Sequence, residues 1–295
     1  MGPSPLYIMK QLSELPSDID ALFEKGHQPS EERLGELAGR IATAIGRGLI
    51  RNLEEGEERL TLRMSNIGKP ARQLWYEAQQ PNGRRNLDGT TLRKFLMGDI
   101  WEELLLWLAE EAGHTVEKRQ EEVEVNGIKG HIDAIIDDVV VDVKSASRFA
   151  FEKFRKGTLP DNDSFGYYEQ LAGYSKALDK DGAWLAVNKD TAELAILDAP
   201  KDELEVLDIP SRIDYLRNAL DSKDVPDRCY DPVPDGQSGN MVLANDCTYC
   251  PFKFDCWKDA NGGAGLRVFD YSNKPKYFTH VEKEPRVLET FPIRE

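Results

Sequence analysis

The sequence predicts an α/β sandwich, with a mixed central sheet flanked by helices. Three observations carry that expectation. Residues 91–112, "TLRKFLMGDIWEELLLWLAEEA", read as one strong helix. The hydrophobic period then falls to two over three consecutive strands. A second helix, "YYEQLAGYSKAL", separates these from a further strand pair, "GAWLAVN" and "TAELAIL".

The elements follow in chain order. Residues 1–60 read as an N-terminal helical extension. Beyond Pro29-Ser30, a helix start, Leu34, Leu37, Ile41, Ile45 and Leu49 recur at helical spacing, and the run ends in the acidic "NLEEGEE". The main core is expected over 61–222. It begins with "SNIGKPARQLWYE", where Trp75 and Tyr76 read as core. In the helix over 91–112, Leu92, Phe95, Leu96, Trp101, Leu104, Leu105 and Leu108 supply the apolar side, and Gly113 stops it. "HTVEKRQEEVEV" then leads into Asn126-Gly127, a strong hairpin signal. "IKGHIDAII" follows, then a tight Asp137-Asp138 turn and "VVVDVKS". Residues 157–165 form a loop. Residues 223–262 are rich in Pro, Asp, Gly and Cys and look held by ligation rather than by a core. Residues 263–295 read as an extended tail packing on the core.

Composition narrows the function classes. The chain has 295 residues, enough to bury a sizeable core, and no apolar run approaches the roughly 18 residues of a membrane span. The N-terminus lacks a positive region followed by an apolar one, and position 6 is Leu rather than a myristoylation residue. A cytoplasmic protein is therefore expected. With 38 basic and 53 acidic residues the net charge is −15. This argues against binding DNA over the whole surface and leaves room for a local basic groove or a metal-assisted site.

The most informative stretch is "GHIDAIIDDVVVDVKS", residues 130–145. It places Asp133, Asp142 and Lys144 in what otherwise reads as buried strand. Charge there is costly unless it is paired or holds a metal. Residues two apart on a strand share a face, so Asp142 and Lys144 point the same way, and Asp133 can reach them across a short turn. Two converging carboxylates make a hard-oxygen site for Mg²⁺ or Mn²⁺. A lysine beside them can bond an attacking water and stabilise charge on a phosphate. Metal-assisted phosphodiester hydrolysis needs this set. His131 reads as a structural residue. The bland alternative is a surface hairpin with a solvated Asp-Lys pair.

Asp133 followed by Asp142-Val143-Lys144 at the end of the next strand resembles the signature of the PD-(D/E)XK nuclease superfamily, and the order of surrounding elements matches its restriction-endonuclease-like core. The resemblance implies a metal-dependent nuclease. In RecB-type members the preceding helix often supplies a further ligand, and Glu102 of "GDIWE" is the matching position. Gln170 and Tyr174 resemble the Q-x-x-x-Y motif of that subgroup, which helps position the site and the DNA.

The four cysteines, Cys229, Cys247, Cys250 and Cys256, fall within 28 residues. Clustered ligands for one metal centre fit this better than disulfides do. The C-x₂-C-x₅-C spacing resembles the iron–sulfur staple of RecB-type exonucleases, including those of tailed phages and of CRISPR adaptation. This implies a structural [4Fe–4S] cluster, with four-thiolate Zn²⁺ as the alternative. One departure is plain. In those relatives the first cysteine lies upstream of the core, where "SNIGKPARQLWYE" has none, so Cys229 would replace it. The resemblance spans roughly residues 61 to 295.

DNA is the implied partner, single-stranded or at ends, in a phage-infected bacterial cell. "KSASRFAFEKFRKG" interleaves Arg148, Lys153, Arg155 and Lys156 with Phe149, Phe151 and Phe154, the mixture a single-strand channel uses. An amphipathic helix with its rings inward accounts for it equally well. Lys69 and Arg72 could also meet phosphate. The expected activity is a DNA exonuclease. An endonuclease or junction resolvase on the same fold, a catalytically silent DNA-binding module, and a homo-oligomer all stay open.

Overall fold

The computed structural model describes residues 10–53, 60–79 and 88–290, which divide into two units. Residues 10–53, 60–68 and 88–216 belong to the first, and 69–79 and 217–290 to the second. Most of the acidic break read at 52–58 lies outside the described residues. The helices are α1 (Leu15–Glu24), α2 (Glu31–Leu53), α3 (Ala71–Gln79), α4 (Gly89–Glu111), α5 (Arg148–Arg155), α6 (Tyr167–Leu178), α7 (Lys201–Glu205), α8 (Ile209–Asp221), α9 (Asn245–Tyr249) and α10 (Lys253–Cys256). The strands are β1 (Val116–Glu117), β2 (Glu122–Val125), β3 (Ile128–His131), β4 (Ala134–Ile136), β5 (Val139–Ala146), β6 (Gly182–Asn188), β7 (Leu194–Ala199), β8 (Val233–Pro234), β9 (Met241–Val242), β10 (Arg267–Asp270), β11 (Pro275–His280) and β12 (Glu289–Thr290).

The first unit is the expected mixed sheet between helices. Its strand order is β1-β4-β5-β6-β7, with β5 and β6 parallel and the other pairs antiparallel. Alternation along β5 and β6 sorts their side chains. Val139, Val141 and Val143, with Ala183, Leu185 and Val187, share a core with Leu15 and Ile19 of α1 and Leu105, Leu106 and Trp107 of α4. Val140, Asp142 and Lys144 face the other way. There Trp184 lies beside Asp142 in register and meets Phe154 of α5 and Tyr168 of α6, at ring distances of 6.4 and 4.6 Å.

One expected strand is two. "IKGHIDAII" breaks at Ile132-Asp133: β3 pairs only with β2 in a separate two-stranded ribbon, while β4 enters the main sheet. Asn126 and Gly127 join β2 to β3, both at positive φ, as a two-residue hairpin requires. Gly130 lets β3 lie close to its neighbours. A Cβ there would come within 2.8 Å of the Tyr174 ring and 2.5 Å of Met64.

The helices also depart in detail from the sequence pattern. Only the C-terminal half of α4 is deeply buried, and Phe95, expected in the core, is half exposed. Ser30 Oγ does accept the Arg33 N–H at the start of α2, at 3.2 Å. Leu34 and Leu49, however, are exposed. Alongside Leu37 and Ala44, an arginine ladder ties α2 to α4. Arg33 meets Glu110 and Glu111 at 2.7 and 2.6 Å, Arg40 meets Glu110 at 3.0 Å, Arg47 meets Glu103 at 3.4 Å, and Arg51 meets Asp99 at 2.7 Å.

In the second unit the strand order is β12-β10-β11-β9-β8, all antiparallel. Residues 263–295 are thus not merely an extended tail: β10 and β11 pair over four residue couples, from Arg267↔Phe278 to Asp270↔Pro275. A small core of Leu243, Trp257, Ala260 and Leu266 has Cys247, Cys256, Phe254 and Tyr277 packed against it. Helix α3 belongs here too. Tyr76 stacks on Phe252 at 5.6 Å and 17°, and Trp75 Nε1 donates to the Ser222 carbonyl at 3.1 Å. No helix among the described residues is long and apolar enough to cross a membrane.

The turn after Met64–Asn66 crosses the loop before α6 backbone to backbone. A Cβ on Gly68 would stand 2.3 Å from the Cα of Gly166, and Gly166 is itself at φ +73°. Backbone cannot step aside as a flexible side chain can. Gly68→Ala should therefore destabilise the protein by about 1–3 kcal/mol, as overpacking does, read as a lower urea midpoint at unchanged slope. An unchanged midpoint would show that the two loops do not meet.

Candidate active site

The break at Ile132-Asp133 builds the site. Pairing of β4 with β5 runs from Ile136↔Val139 to Ala134↔Val141 and then stops. The next inward-facing donor on β5, the Val143 N–H, has lost its strand partner. An unpaired N–H is costly in a sheet interior. Asp133 takes it: its Oδ2 accepts the Val143 N–H at 2.7 Å. The carboxylate that ends one strand is thereby pinned beside Asp142 on the next. Asp133 is thus a residue of the kink, not of a strand as its sequence pattern suggests.

Asp142 is almost wholly buried, and its Oδ2 lies 2.5 Å from Lys144 Nζ. Apart from that ion pair, no described group donates a hydrogen bond to this oxygen. Lys144 is mostly buried and sits 4.8 Å from the centre of the Tyr167 ring. Burial alone would push its pKa down, but Asp142 and Asp133 outweigh burial and hold it up, so the ammonium stays charged. Glu102 reaches the site from α4. Gln120 Nε2 donates to its Oε1 at 2.5 Å, and Glu102 lines a cavity of about 490 Å³ with Arg47, Arg51, Asp99, Gln120 and His131. His131, read from the sequence as structural, is more than half exposed and faces that cavity.

The three carboxylates repel one another. Burial, then Glu103, pushes the Glu102 pKa up to about 7. Burial, then Glu102 and Asp142, holds Asp133 well above the usual carboxylate range. Burial also raises Asp142, against the pull of Lys144. As they stand, no three His, Cys, Asp or Glu side chains among the described residues are drawn close enough to clasp an ion. The donor set nonetheless fits a hard divalent cation. It has three convergent carboxylates, one with a buried oxygen short of donors, and too little positive charge to balance them.

Gln170 and Tyr174 are brought together on α6, with Gln170 Nε2 donating to Tyr174 Oη at 3.3 Å. Burial raises the Tyr174 pKa, and Asp142 and Asp133 add to this, so the phenol faces the acidic site as a neutral group. Sequence reasoning passes over Tyr167. Its spacing of three and seven residues before Gln170 and Tyr174 places it on the same helix face and could have revealed it.

The basic residues are only partly gathered at the site. Phe151 and Phe154 of α5 are core, and Phe149 alone is turned out, with Lys153 Nζ 5.7 Å from its ring centre. Arg155 and Lys156 both pair with Glu152, at 2.6 and 3.1 Å, and Arg148 is exposed. Arg72, expected from the sequence as a phosphate contact, lies within the second unit. Its guanidinium is spent inside the second unit, donating to Cys256 Sγ at 3.0 Å, to the Cys256 carbonyl at 3.3 Å and to the Pro226 carbonyl at 2.5 Å. Lys69 pairs with Glu77 at 2.9 Å.

The four cysteines are free thiols, each half-buried, in the second unit. They lie within electrostatic range of one another. Burial pushes the Cys247 thiol up to about 12, and Cys229, Cys250 and Cys256 add to it. Cys229 and Cys250 are raised mainly by burial as well. Four thiols in one short segment, with an Arg72 N–H aimed at the Cys256 sulfur, are the ligand type a thiophilic centre takes, although no three of them are drawn close enough here to clasp an ion.

A sequence model of the PD-(D/E)XK nuclease superfamily matches residues 7–256. No curated protein matches the chain. Among solved structures, SSO0001 aligns at 18% identity over 72% of this chain and 92% of its own, with a TM-score of 0.42. A phage-related exonuclease from Haemophilus somnus 129PT aligns at 15% identity over 56% of this chain and 95% of its own, TM-score 0.41. An alkaline exonuclease from Laribacter hongkongensis aligns at 12% identity over 52% and 89%, TM-score 0.36.

The carboxylate cluster sets a pH signature. Glu102 keeps its proton to about pH 7 when folded but loses it near 4.5 when unfolded. Its contribution to stability is therefore full below the lower value and lost as pH rises through the upper one. A divalent cation competes with that proton. Mg²⁺ or Mn²⁺ should raise the thermal midpoint more at pH 8 than at pH 5.5, and Glu102→Gln should flatten the difference. A cation effect independent of pH would remove these carboxylates from its binding.

Proposed function

The chain belongs to the PD-(D/E)XK nuclease superfamily, and on that premise we propose that it is a metal-dependent deoxyribonuclease of the exonuclease type, acting on DNA ends and preferring single strands. The observation that carries the reading is the Asp133–Asp142–Lys144 set. A charged lysine, buried Asp142 and half-buried Asp133 converge where strand pairing has been broken to admit them. The exonuclease form of the reading rests on the cysteine spacing and its resemblance to exonuclease staples.

Asp133 and Asp142, with Glu102, would hold Mg²⁺ or Mn²⁺. Such an ion, when bound, polarises the scissile phosphate and lowers the pKa of a coordinated water. The chain's own residues do the rest. Lys144 keeps its proton and presents N–H donors to the attacking water and to charge building on a phosphate oxygen. Asp142 fixes the direction of that ammonium from one side and the Tyr167 ring from another. The Gln170–Tyr174 hydrogen bond supports the Tyr174 phenol as a neutral donor near the carboxylates. Arg148, Lys153, Arg155 and Lys156, just beyond β5, would meet the phosphates, with Glu152 released from its pairs as DNA arrives. Cys229, Cys247, Cys250 and Cys256 would hold a structural [4Fe–4S] cluster, or Zn²⁺, and tie the short elements of the second unit together.

Two experiments test this. With Mg²⁺ or Mn²⁺, linear DNA should be shortened from its ends while covalently closed circles survive, and Lys144→Ala should lose at least about 10²-fold in rate. Cutting of circles would move the reading to an endonuclease. A folded, metal-supplied protein that cuts nothing would leave a silent DNA-binding module. For the cysteines, protein purified without air should be brown and carry iron and acid-labile sulfide in equal amounts. Colourless protein loaded with zinc would overturn the cluster in favour of its alternative.

A further inference from the structure

Phe165 is a large apolar ring left 63% exposed in the loop just before α6. A single exposed Phe is ordinary on a protein surface. Three features set this one apart.

First, its position is fixed. The Asp163 carboxylate accepts three backbone N–H groups, from Phe165 at 3.2 Å, Gly166 at 2.9 Å and Tyr168 at 2.8 Å. Gly166 is also wedged against the backbone of Gly68. Second, the ring is stacked. Phe165 lies on Tyr167 with centroids 5.4 Å apart and planes at 20°, and Tyr167 in turn rests on buried Phe154 at 6.2 Å. Third, the stack ends at the chemistry, because the Tyr167 ring is the one that contacts Lys144 Nζ. A rigid row of rings thus runs from the core, past the lysine of the candidate site, to an open aromatic face.

We propose that Phe165, backed by Tyr167, is a stacking platform for an unpaired nucleobase beside the scissile phosphate. The inference rests on the nuclease reading and adds to it a specificity device. Every base has a π-face, so such a platform is indifferent to sequence. A base inside a duplex already has both faces covered by its neighbours. The platform therefore selects for a single strand or a frayed end. Tyr167 has a second task, holding Lys144, so the outer ring is the one whose loss should leave the chemistry in place.

The test uses the full-length protein and a short oligonucleotide carrying 2-aminopurine at its terminal nucleotide, labelled at the 5′ end in one set and the 3′ end in another. Titration in EDTA, where cleavage is off, reads stacking as fluorescence quenching. Wild type should quench one of the two single strands. Phe165→Ala should weaken binding by roughly 5- to 150-fold, the loss of one base–aromatic stack, and Phe165→Trp should restore it. A duplex with 2-aminopurine at an interior position, both faces covered, should respond equally little to all three proteins. In Mg²⁺ or Mn²⁺, Phe165→Ala should raise KM for single strands with kcat nearly unchanged. Equal quenching and equal KM in wild type and Phe165→Ala would overturn the platform while leaving the nuclease reading standing. Quenching that depends on Phe165 in a protein that never cuts would do the reverse. A wild type that neither binds nor cuts DNA would sink both.

Discussion

One hydrogen bond organises the candidate site, that from the Val143 N–H to the carboxylate of Asp133. A sheet interior tolerates a strand that leaves only if the donors it abandons are satisfied. Here the departing chain satisfies the donor with its own side chain. The kink and the carboxylate are thus a single device. Because β3 leaves the main sheet at this point, it instead comes close to α6, where a Cβ on Gly130 would meet the Tyr174 ring. Because Asp133 is tied to Val143, it cannot swing away from Asp142. A continuous strand through residues 128–136 would put a backbone carbonyl on Val143 and extend β4 along the rest of β5, over the site. Asp133→Ala would therefore remove a structural bond as well as a charge, whereas Asp133→Asn keeps an oxygen to accept the N–H and separates the two roles.

The electrostatics follow from that geometry. Three carboxylates are held near one another with one buried ammonium among them, and burial raises the pKa of each acid. Such an arrangement is unfavourable by itself and has to be supported by the surrounding packing. The support is visible. Lys144 is clasped between Asp142 and an aromatic face, and Gln120 braces Glu102. The α2–α4 arginine ladder extends this support. Individually such pairs contribute little, about 0.2–1 kcal/mol, but Arg47 and Arg51 bring positive charge to the cavity wall beside Glu102. Helix α2 is thereby more than an appended extension, since it balances charge at the rim of the site.

Much of this was legible in the sequence, and the gaps have physical causes. Asp142 and Lys144 could be placed because a period of two fixes their common face. The Gln170–Tyr174 pair could be placed because helical spacing brings i and i+4 together. The kink at Asp133 could not, because "IKGHIDAII" carries no turn residue at the break between Ile132 and Asp133. Gly130 was the one clue, since glycine within a strand marks a close approach. The rings of α5 were ambiguous for another reason. Phe149, Phe151 and Phe154 alternate with cations in a pattern that suits either a binding channel or an amphipathic helix; two of the three rings are buried and one is turned out, and the two readings coexist, rings inward and cations outward. The heptad of Arg33, Arg40 and Arg47 was in plain view. It carries meaning only beside Glu110 and Glu103 on α4, and that antiparallel pairing is a tertiary fact. The hairpin of β10 and β11 was readable in "RVFD" and "PKYFTH" but hidden by the polar composition around it.

The second unit shows what a small core leaves undone. Leu243, Trp257, Ala260 and Leu266 are few for residues 223–290, where helices run four or five residues and strands mostly run two. Helices that short do not hold themselves. The cysteines are spread over these short elements: Cys247 within α9, Cys250 directly after it, and Cys256 at the end of α10. Arg72 adds a link from α3, reaching both the sulfur and the carbonyl of Cys256. As neutral thiols the cysteines contribute modest packing. As thiolates around a positive centre they would fix four points of the chain at once, and the Arg72 N–H would then face an anionic sulfur, the stronger form of that hydrogen bond. The guanidinium expected from the sequence to meet phosphate instead directs its donors inward, to Cys256 and to the Pro226 carbonyl.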